Sequence, residues 1–335
     1  MKIKSKVPFS RDIIKLKDPG KTAKDISNTL RDHVFNRLHR TGGVVGISGG
    51  IDSSVTLALA ALALGIDKVT GILMPEKDSS RESVELANKL AVKYGVNTIV
   101  EDITSALDGF KCYQRRDEAT IRVFPEFDPE IHKMKIGVKE SALYSNLPPV
   151  FYITKVGPHG EEKSERLPAK EFRQIMAASN FKQRSRMAML YYHAERLHYA
   201  VIGTPNKHEV DQGFFVKYGD GGADVMPIGH LYKTQVYQLA RYLMIPEEII
   251  ARTPTTDTYT AEQTQEEFFY QLPFELMDLL WYAFENDYTP GEVSPVVGKS
   301  AEDIKNIYMN FARKIKTTDY LRMPPIKNFQ EGDEY

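Results

Sequence analysis

The chain has 335 residues, which is enough for one large domain or two small ones. Its 44 Lys and Arg residues nearly balance its 45 Asp and Glu residues, so the formal net charge is −1. Without a basic excess to neutralise phosphates, the composition excludes a general nucleic-acid binder. Hydrophobic residues make up 42% and charged residues 27% of the chain, which is typical of a globular protein with a substantial core.

The use of cysteine and of apolar runs indicates a compartment. Because Cys112 is the single cysteine, an intrachain disulfide and a cysteine metal cluster are excluded. Cys112 also has no His near it in sequence that would activate it as a nucleophile. The longest apolar run, 57–64, is too short to span a bilayer. The basic N-terminus lacks the apolar stretch of a signal peptide. These features predict a soluble cytoplasmic protein with no membrane partner.

Helices and strands alternate in the first hundred residues. Apolar spacing predicts helices, and short apolar runs next to glycines predict buried strands. In chain order, the pattern gives helix 22–40, strand 44–47, helix 53–64, strand 69–74, helix 80–94 and strand 97–103. This order predicts an α/β fold with a doubly wound, mainly parallel sheet flanked by helices.

An interruption at about 107–166 separates this part from the rest. Two extended arms around a Gly/Pro turn at 157–160 predict a β-hairpin within it, as a lid, a subunit contact or a passive surface excursion. The pattern then resumes with helix 172–197 and strand 198–203, and the chain from about 232 is mostly helical. We therefore expect one domain over 1–335 that carries an insertion.

The strongest local signal is the loop 48–54, Ser-Gly-Gly-Ile-Asp-Ser-Ser, between a strand and a helix. Unpaired N–H groups and a partial positive charge at the helix start favour a phosphate, and Gly49 and Gly50 let the backbone approach it. Asp52 beside a polyphosphate requires a cation, which indicates Mg²⁺. The loop matches neither the Walker A nor the Rossmann pattern, and a Gly-rich turn capped by Ser and Asp is the simpler alternative.

Polar segments in the second half add candidate ligands. Arg184 is placed near the beginning of a helical stretch from Asn180, where basic charge is unfavourable unless an anion binds, although a solvated helix start is the alternative. Thr204 and Glu209 follow strand 198–203, and Glu209 supplies a second carboxylate for the metal.

The Gly-rich stretch 213–228 reads as a rigid binding loop. The next helix begins at Lys233, which can reach phosphate as a point charge, and Thr255 lies in a turn with hydroxyl groups.

The order of these motifs resembles that of the ammonia-dependent NAD synthetases, members of the N-type ATP pyrophosphatase superfamily. The motifs are Ser-Gly-Gly-x-Asp-Ser, Asn-x-x-x-Arg-x-Arg-Met, Gly-Thr-x-x-x-x-Glu, Gly-Phe-Phe-x-Lys-Tyr-Gly-Asp-Gly-Gly-x-Asp, Pro-Ile-x-x-Leu-Tyr-Lys-Thr-Gln and Pro-Thr-x-Asp. The resemblance implies an adenine nucleotide α-hydrolase-like fold. It also implies ATP-dependent amidation of deamido-NAD with ammonia through an adenylated carboxylate, releasing AMP and pyrophosphate.

The resemblance also assigns roles to residues. Asp52 and Lys233 are the expected catalytic residues, Asp52 and Glu209 the expected Mg²⁺ ligands, and Arg184, Lys217 and Asp224 the expected deamido-NAD contacts. The expected ATP-binding residues are Gly46, Ile47, Ser48, Gly49, Gly50, Ile51, Asp52, Ser53, Thr204, Lys233 and Thr255.

Two further implications concern partners. The resemblance implies a homodimer. The pyrophosphate loop begins at residue 46, which leaves no room upstream for a glutaminase domain, so free ammonia or a separate glutaminase is the expected nitrogen source.

The chain departs from the family most clearly at Tyr320 and Leu321, where a His-Lys pair that contacts the dinucleotide is usual. Pro205 and the glutamines of 263–267 are smaller departures. The first alternative is therefore a paralogous amide ligase of the same chemistry that uses another carboxylate. The second is a non-catalytic nucleotide-binding protein.

Overall fold

The computed structural model describes residues 6–138, 150–255, 259–261 and 263–326. Two sheets lie within these ranges. Their strands are β1 (Gly43–Gly46), β2 (Val69–Leu73), β3 (Asn97–Val100), β4 (Lys133–Val138), β5 (Phe151–Val156), β6 (Glu162–Arg166) and β7 (Ala200–Ile202).

The α-helices of the described residues are distributed along the whole chain. They are α1 (Pro19–Asp32), α2 (Ile51–Leu64), α3 (Arg81–Tyr94), α4 (Thr104–Gly109), α5 (Cys112–Ile121), α6 (Ala169–Leu197), α7 (Lys207–Gln212), α8 (Lys233–Tyr242), α9 (Glu247–Ala251), α10 (Phe274–Glu285), α11 (Pro290–Val297) and α12 (Ala301–Arg322). Single π-helical turns follow α1 at 33–37 and precede α10 at 266–270. None of the described helices combines the length and apolar composition needed to cross a bilayer.

The central sheet is parallel, in the strand order β3-β2-β1-β7. Three of its strands, β1, β2 and β7, are short apolar runs that are mostly buried, whereas the edge strand β3 is largely exposed. Val45 and Ile202 pack into one cluster with α1, α2 and α8, whereas Val44 and Val201 pack on the other face against α6. This arrangement confirms the predicted doubly wound α/β fold. That the whole chain forms one domain stays a prediction.

The strand order reverses its direction at β1. The chain moves outward from β1 to β2 and β3, and then returns to place β7 on the other side of β1. Loops that follow β1 and β7 therefore diverge from neighbouring strand ends and leave a crevice between them. Ligands of open α/β sheets bind at such a switch point.

The interruption in the pattern has more structure than predicted. The expected hairpin is present, because β5 and β6 pair antiparallel from Tyr152↔Arg166 to Val156↔Glu162. A third strand, β4, extends it, and α4 and α5 occupy the charged part that precedes it. Ile136, Ile153 and Ile175 share a core cluster that joins this sheet to α6. Residues 139–149 of the expected insertion lie outside the described residues.

Candidate active site

A cavity of about 550 Å³ opens at the carboxyl ends of β1, β2 and β7. Most of the predicted nucleotide-binding residues lie on its wall. These are Gly46, Ile47, Ser48, Gly50, Ile51, Asp52, Ser53, Thr204 and Thr255, together with the predicted metal ligand Glu209. The switch point therefore brings together residues that are more than 200 positions apart in the chain.

The loop between β1 and α2 has a shape that only glycine permits at one position. Gly49 has φ +75°, and a Cβ there would stand 2.5 Å from the carbonyl oxygen of Ser83. The Ser53 hydroxyl accepts from the Ser48 N–H at 3.3 Å and donates to the Gly50 carbonyl at 3.0 Å. Gly50 is the N-cap of α2 and brings no capping side chain, so the first N–H groups of the helix remain for an anion.

Asp52 on the cavity wall forms an ion pair with Lys233, which, like Gly49, is a predicted ATP-binding residue that does not itself line the cavity. The ammonium of Lys233, whose side chain is 0% exposed, contacts Oδ2 of Asp52. Asn206 Nδ2 donates to the other carboxylate oxygen at 3.2 Å. Both oxygens of Asp52 are therefore held, one by each of two elements that follow β7.

Glu209 is fixed beside this pair by a capping box. Asn206 is the N-cap of α7 and its side chain accepts from the N–H groups of His208 and Glu209, at 3.0 and 3.3 Å. The Glu209 carboxylate accepts in return from the Asn206 N–H at 2.9 Å. Sequence reasoning missed Asn206, although the spacing Asn-x-x-Glu after a strand is the signal of such a cap.

The charges of these three residues are strongly coupled. Burial, together with the negative charge of Asp52, raises the pKa of Glu209 to about 8, although Lys233 partly offsets this. Burial alone would lower the pKa of Lys233, but Asp52 and Glu209 hold it above its ordinary value. Two neighbouring carboxylates with one ammonium leave a site that favours a further cation.

The donor set fits Mg²⁺. Carboxylate oxygens are its preferred protein ligands, and one or two of them with substrate phosphates are the usual arrangement. The described residues contain no group of three or more His, Cys, Asp and Glu that could hold a metal. A Mg²⁺ ion at Asp52 and Glu209 would therefore complete its coordination with nucleotide and water.

The predicted deamido-NAD contacts lie beside the cavity, and none of the three is on its wall. Arg184 Nε donates to the Lys217 carbonyl at 3.3 Å. Lys217 Nζ donates to the carbonyls of Tyr320 and Met323 at 2.8 and 2.7 Å. The Asp224 carboxylate accepts from the Val201 N–H at 2.7 Å and from a tyrosine hydroxyl. In these positions they tie the Gly-rich loop to its neighbours, and their substrate contacts stay a prediction.

The helix predicted over 172–197 is confirmed as α6, so the further expectation that a helical stretch begins near Asn180 is wrong. α6 already begins at Ala169, so Lys182 and Arg184 lie in the middle of a 29-residue helix and the argument from the helix dipole does not apply. Lys182 lies on the cavity wall, but its buried ammonium pairs with Glu76 at 2.8 Å and with Asp78 at 2.9 Å.

Arg186 and Asp220 are among the charged wall residues that were not assigned a role from sequence. Arg186 lies on the wall and donates from Nε to the Met74 carbonyl at 3.3 Å. Asp220 accepts from the Val216 N–H at 2.8 Å, and burial raises the pKa of its carboxyl to about 6. Both belong to the quoted motifs, so position within the motif was the available signal.

Cys112 and the Tyr320-Leu321 pair occupy different environments. Cys112 is buried, and burial raises the pKa of its thiol, which agrees with the absence of a nucleophilic role.

Tyr320 and Leu321 lie on the cavity wall at the end of α12. The departure from the family pattern therefore falls where a ligand can meet it.

Comparison with known proteins identifies the family. The NAD synthase profile matches residues 22–125 and 142–325. The NH3-dependent NAD⁺ synthetase of Mesorhizobium japonicum is 46% identical over 309 residues, covering 92% of this chain and 96% of the relative.

Two solved structures share the fold. The NMN synthetase of Francisella tularensis has a TM-score of 0.62 at 22% identity and covers 93% of this chain and 98% of its own. The NH3-dependent NAD synthetase of Campylobacter jejuni, in complex with the nitrate ion, has a TM-score of 0.60 at 22% identity, covering 93% and 100%.

These matches agree with the sequence expectations for family, fold class and ligase activity. The reaction of this family is the ATP-dependent amidation of deamido-NAD. With the profile covering most of the chain and a relative at 46% identity along nearly its whole length, the chain belongs to the NAD synthase family.

Proposed function

We propose that the cavity performs this amidation in two steps, through an acyl adenylate. A carboxylate oxygen of deamido-NAD attacks the α-phosphorus of ATP, the bond from that phosphorus to the bridging oxygen breaks, and pyrophosphate leaves. The nitrogen of ammonia then attacks the acyl carbon, AMP departs with the ester oxygen, and the amide nitrogen loses a proton. No side-chain nucleophile is needed, because each bond is made by a substrate atom.

The observation that carries the proposal is the buried Lys233–Asp52 pair at the start of α2. Glu209 lies beside this pair on the wall of the same cavity. The open N-terminus of α2 and the loop 46–50 suit the departing pyrophosphate, since N–H groups and a helix dipole stabilise that charge. Lys233 would neutralise charge that develops on the phosphates, and its pairing with Asp52 orients it before ATP arrives.

Mg²⁺ belongs to the same proposal. Asp52 and Glu209 would hold the ion, which when bound supplies charge neutralisation on the phosphates of ATP. Asp52 would then orient both Lys233 and the phosphates of ATP, the latter through the bound ion. Asn206 would keep the two carboxylates at a fixed separation, because its side-chain amide donates to Asp52 and its backbone N–H donates to the Glu209 carboxylate.

The acceptor side would use the Gly-rich loop. Lys217 and Arg184 bind this loop to α6 and α12, and Asp224 anchors it to β7. Their proposed contribution is to shape the binding place of deamido-NAD, with Tyr320 and Leu321 forming part of its wall. The match to the NAD synthase family supports deamido-NAD over another carboxylate.

Exchange of pyrophosphate into ATP tests the adenylate directly. Without ammonia, the pure protein should incorporate labelled pyrophosphate into ATP only when deamido-NAD is present, because the first step is reversible. The Asp52→Asn variant should lose this exchange. If labelled ATP formed only after ammonia was added, the two-step order would be overturned.

A homodimer, a cytoplasmic location and ammonia supplied freely or by a separate glutaminase complete the proposal. They rest on the family resemblance and on a chain whose single cysteine is a buried thiol. Light scattering after size exclusion tests the dimer. Amidation with ammonium, compared with amidation by glutamine alone, tests the nitrogen source, since this chain should be inactive with glutamine.

A further inference from the structure

α10 is not part of the layers that cover the central sheet, but it contacts both α7, which carries Glu209, and α8, which begins with Lys233. Its apolar face, with Met277, Leu280 and Trp281, belongs to a second core cluster formed with α11 and α12. Its other face carries two acidic residues, Asp278 and Glu285, which are seven residues or about two helical turns apart. Each of these carboxylates joins α7 to the start of α8.

Asp278 makes the inner connection. One carboxylate oxygen lies 2.5 Å from Nε2 of His208 in α7, and the other accepts from the N–H of Thr234 at 2.7 Å. The side chains of Asp278 and His208 are both 0% exposed. Gln212 Nε2 lies 3.2 Å from Nδ1 of His208, so the imidazole is held from both sides.

Glu285 makes the outer connection, to residues that lie one position before His208 and two positions before Thr234. Its Oε1 pairs with the ammonium of Lys207 in α7 at 2.8 Å. Its Oε2 accepts from the hydroxyl of Tyr232, the N-cap residue of α8, at 2.8 Å.

The four residues that Asp278 and Glu285 contact are sequence neighbours of Glu209 and Lys233. Lys207 and His208 directly precede Glu209, while Tyr232 and Thr234 stand on either side of Lys233. A shift of α10 would therefore move Glu209 and Lys233 relative to each other and to Asp52. A buried carboxylate is not needed for packing, because an apolar residue of similar size would serve the core as well or better.

We infer that Asp278 and Glu285 are positioning residues for the reaction, which set the placement of Glu209 and Lys233 about Asp52. This inference rests on the proposed function. Asp278 carries the larger share, since both of its contacts are buried and one of them is to the backbone of α8 itself. Glu285 is partly exposed, and Lys207 also pairs with Asp211.

Isosteric amides test the inference. Asp278→Asn should lower kcat by about tenfold or more, because misplacement of reacting groups by about 1 Å can cost a hundredfold. Glu285→Gln keeps an acceptor for Tyr232 and should lower kcat by only about two- to fivefold. Glu275→Gln is the matched control, an exposed acid on the same helix, and should leave kcat unchanged. KM for deamido-NAD should stay constant in all three.

A double-mutant cycle separates positioning from stability. Combined with Lys233→Arg, Asp278→Asn should cost much less than in the wild type, because an already displaced cation has little alignment left to lose. Losses in kcat that multiply fully, or that follow the melting temperature alone, would overturn the inference. Glu285→Gln keeps the test open if Asp278→Asn does not fold. Wild-type pyrophosphate exchange is measured in parallel, so failure of the proposed function appears separately.

Discussion

Lys233 and Asp52 meet across 181 residues of chain, the first at the beginning of α8 and the second in the first turn of α2. The lysine side chain is fully buried, and the aspartate is 16% exposed towards the cavity. A buried ammonium is unfavourable unless a carboxylate compensates it. The pair therefore contributes both to the stability of the protein and to the arrangement of charges in its candidate active site.

Lys233→Met should destabilise the protein by about 3 kcal/mol and reduce pyrophosphate release by at least about a hundredfold, because it leaves Asp52 and Glu209 without their cation. The double variant Asp52→Asn with Lys233→Met should recover part of the stability and none of the activity. Urea unfolding and a pyrophosphate assay measure both. A double variant as unstable as the sum of the single variants would contradict this coupling.

Glu209 should make the ligand-free protein less stable at alkaline pH. Its pKa in the folded state, about 8, lies above the ordinary value of 4.5. The folded state therefore binds more protons between these values, and its stability falls as pH rises through about 8.

Glu209→Gln removes this penalty. We expect the variant to match the wild type near pH 4 and to exceed it by about 1 to 3 kcal/mol at pH 9, while losing ATP-dependent activity. Thermal unfolding without nucleotide across this range measures the difference, with Glu275→Gln as a control. Equal melting temperatures at every pH would argue against the burial of this carboxyl.

Arg116 should contribute more to stability than a more exposed arginine nearby. Its side chain, 4% exposed, pairs with Asp78 at 2.6 Å and with Asp117 at 2.8 Å, and Asp78 also pairs with Lys182. Arg116→Met leaves these carboxylates partly uncompensated and should cost about 3 kcal/mol.

The comparison variant is Arg122→Met, which breaks a pair whose arginine is 39% exposed and should cost less than about 1 kcal/mol. Chemical denaturation of both variants decides the matter. Similar losses would show that the buried network does not act as described.

Leu321 should influence the acceptor substrate and not ATP. A negative charge on this part of the wall would repel the pyrophosphate and carboxylate groups of deamido-NAD. Leu321→Glu should raise KM for deamido-NAD by about tenfold with little change in KM for ATP. Met309→Glu places the same charge elsewhere on α12, at a side chain that is 39% exposed, and should change neither value.

The sheet and its loop could be predicted because each depends on local sequence. Short apolar runs next to glycines, such as 44–47, are typical of buried strands, and the glycines after β1 permit the φ of +75° that the loop requires. The strand β3 is shorter than expected, ending at Val100 where the expected run reached Ile103. Such boundaries depend on pairing with β2, which the sequence of one strand does not contain.

Contacts between segments that are far apart in sequence could not be predicted from local patterns. Glu76 and Asp78 follow β2 in a loop without any special motif, yet they neutralise Lys182 from 104 to 106 residues away. α4 and α5 were missed because a charged segment hides their apolar positions, of which Leu107 and Tyr113 are buried. The contacts of the α10 carboxylates likewise could not be predicted, because they depend on how α7 and α8 pack beside α10.

The capping of α12 by Lys217 has a consequence for synthesis of the chain. By donating to the carbonyls of Tyr320 and Met323, this lysine brings the end of the helix to the wall of a cavity whose first residue is Gly46. The loop 46–50 belongs to the first part of the wall to be synthesised, whereas the part that Tyr320 and Leu321 supply is the last. The second core cluster extends along α12 as far as Ile315, so truncation before residue 320 should leave this core in place and remove only the last part of the wall.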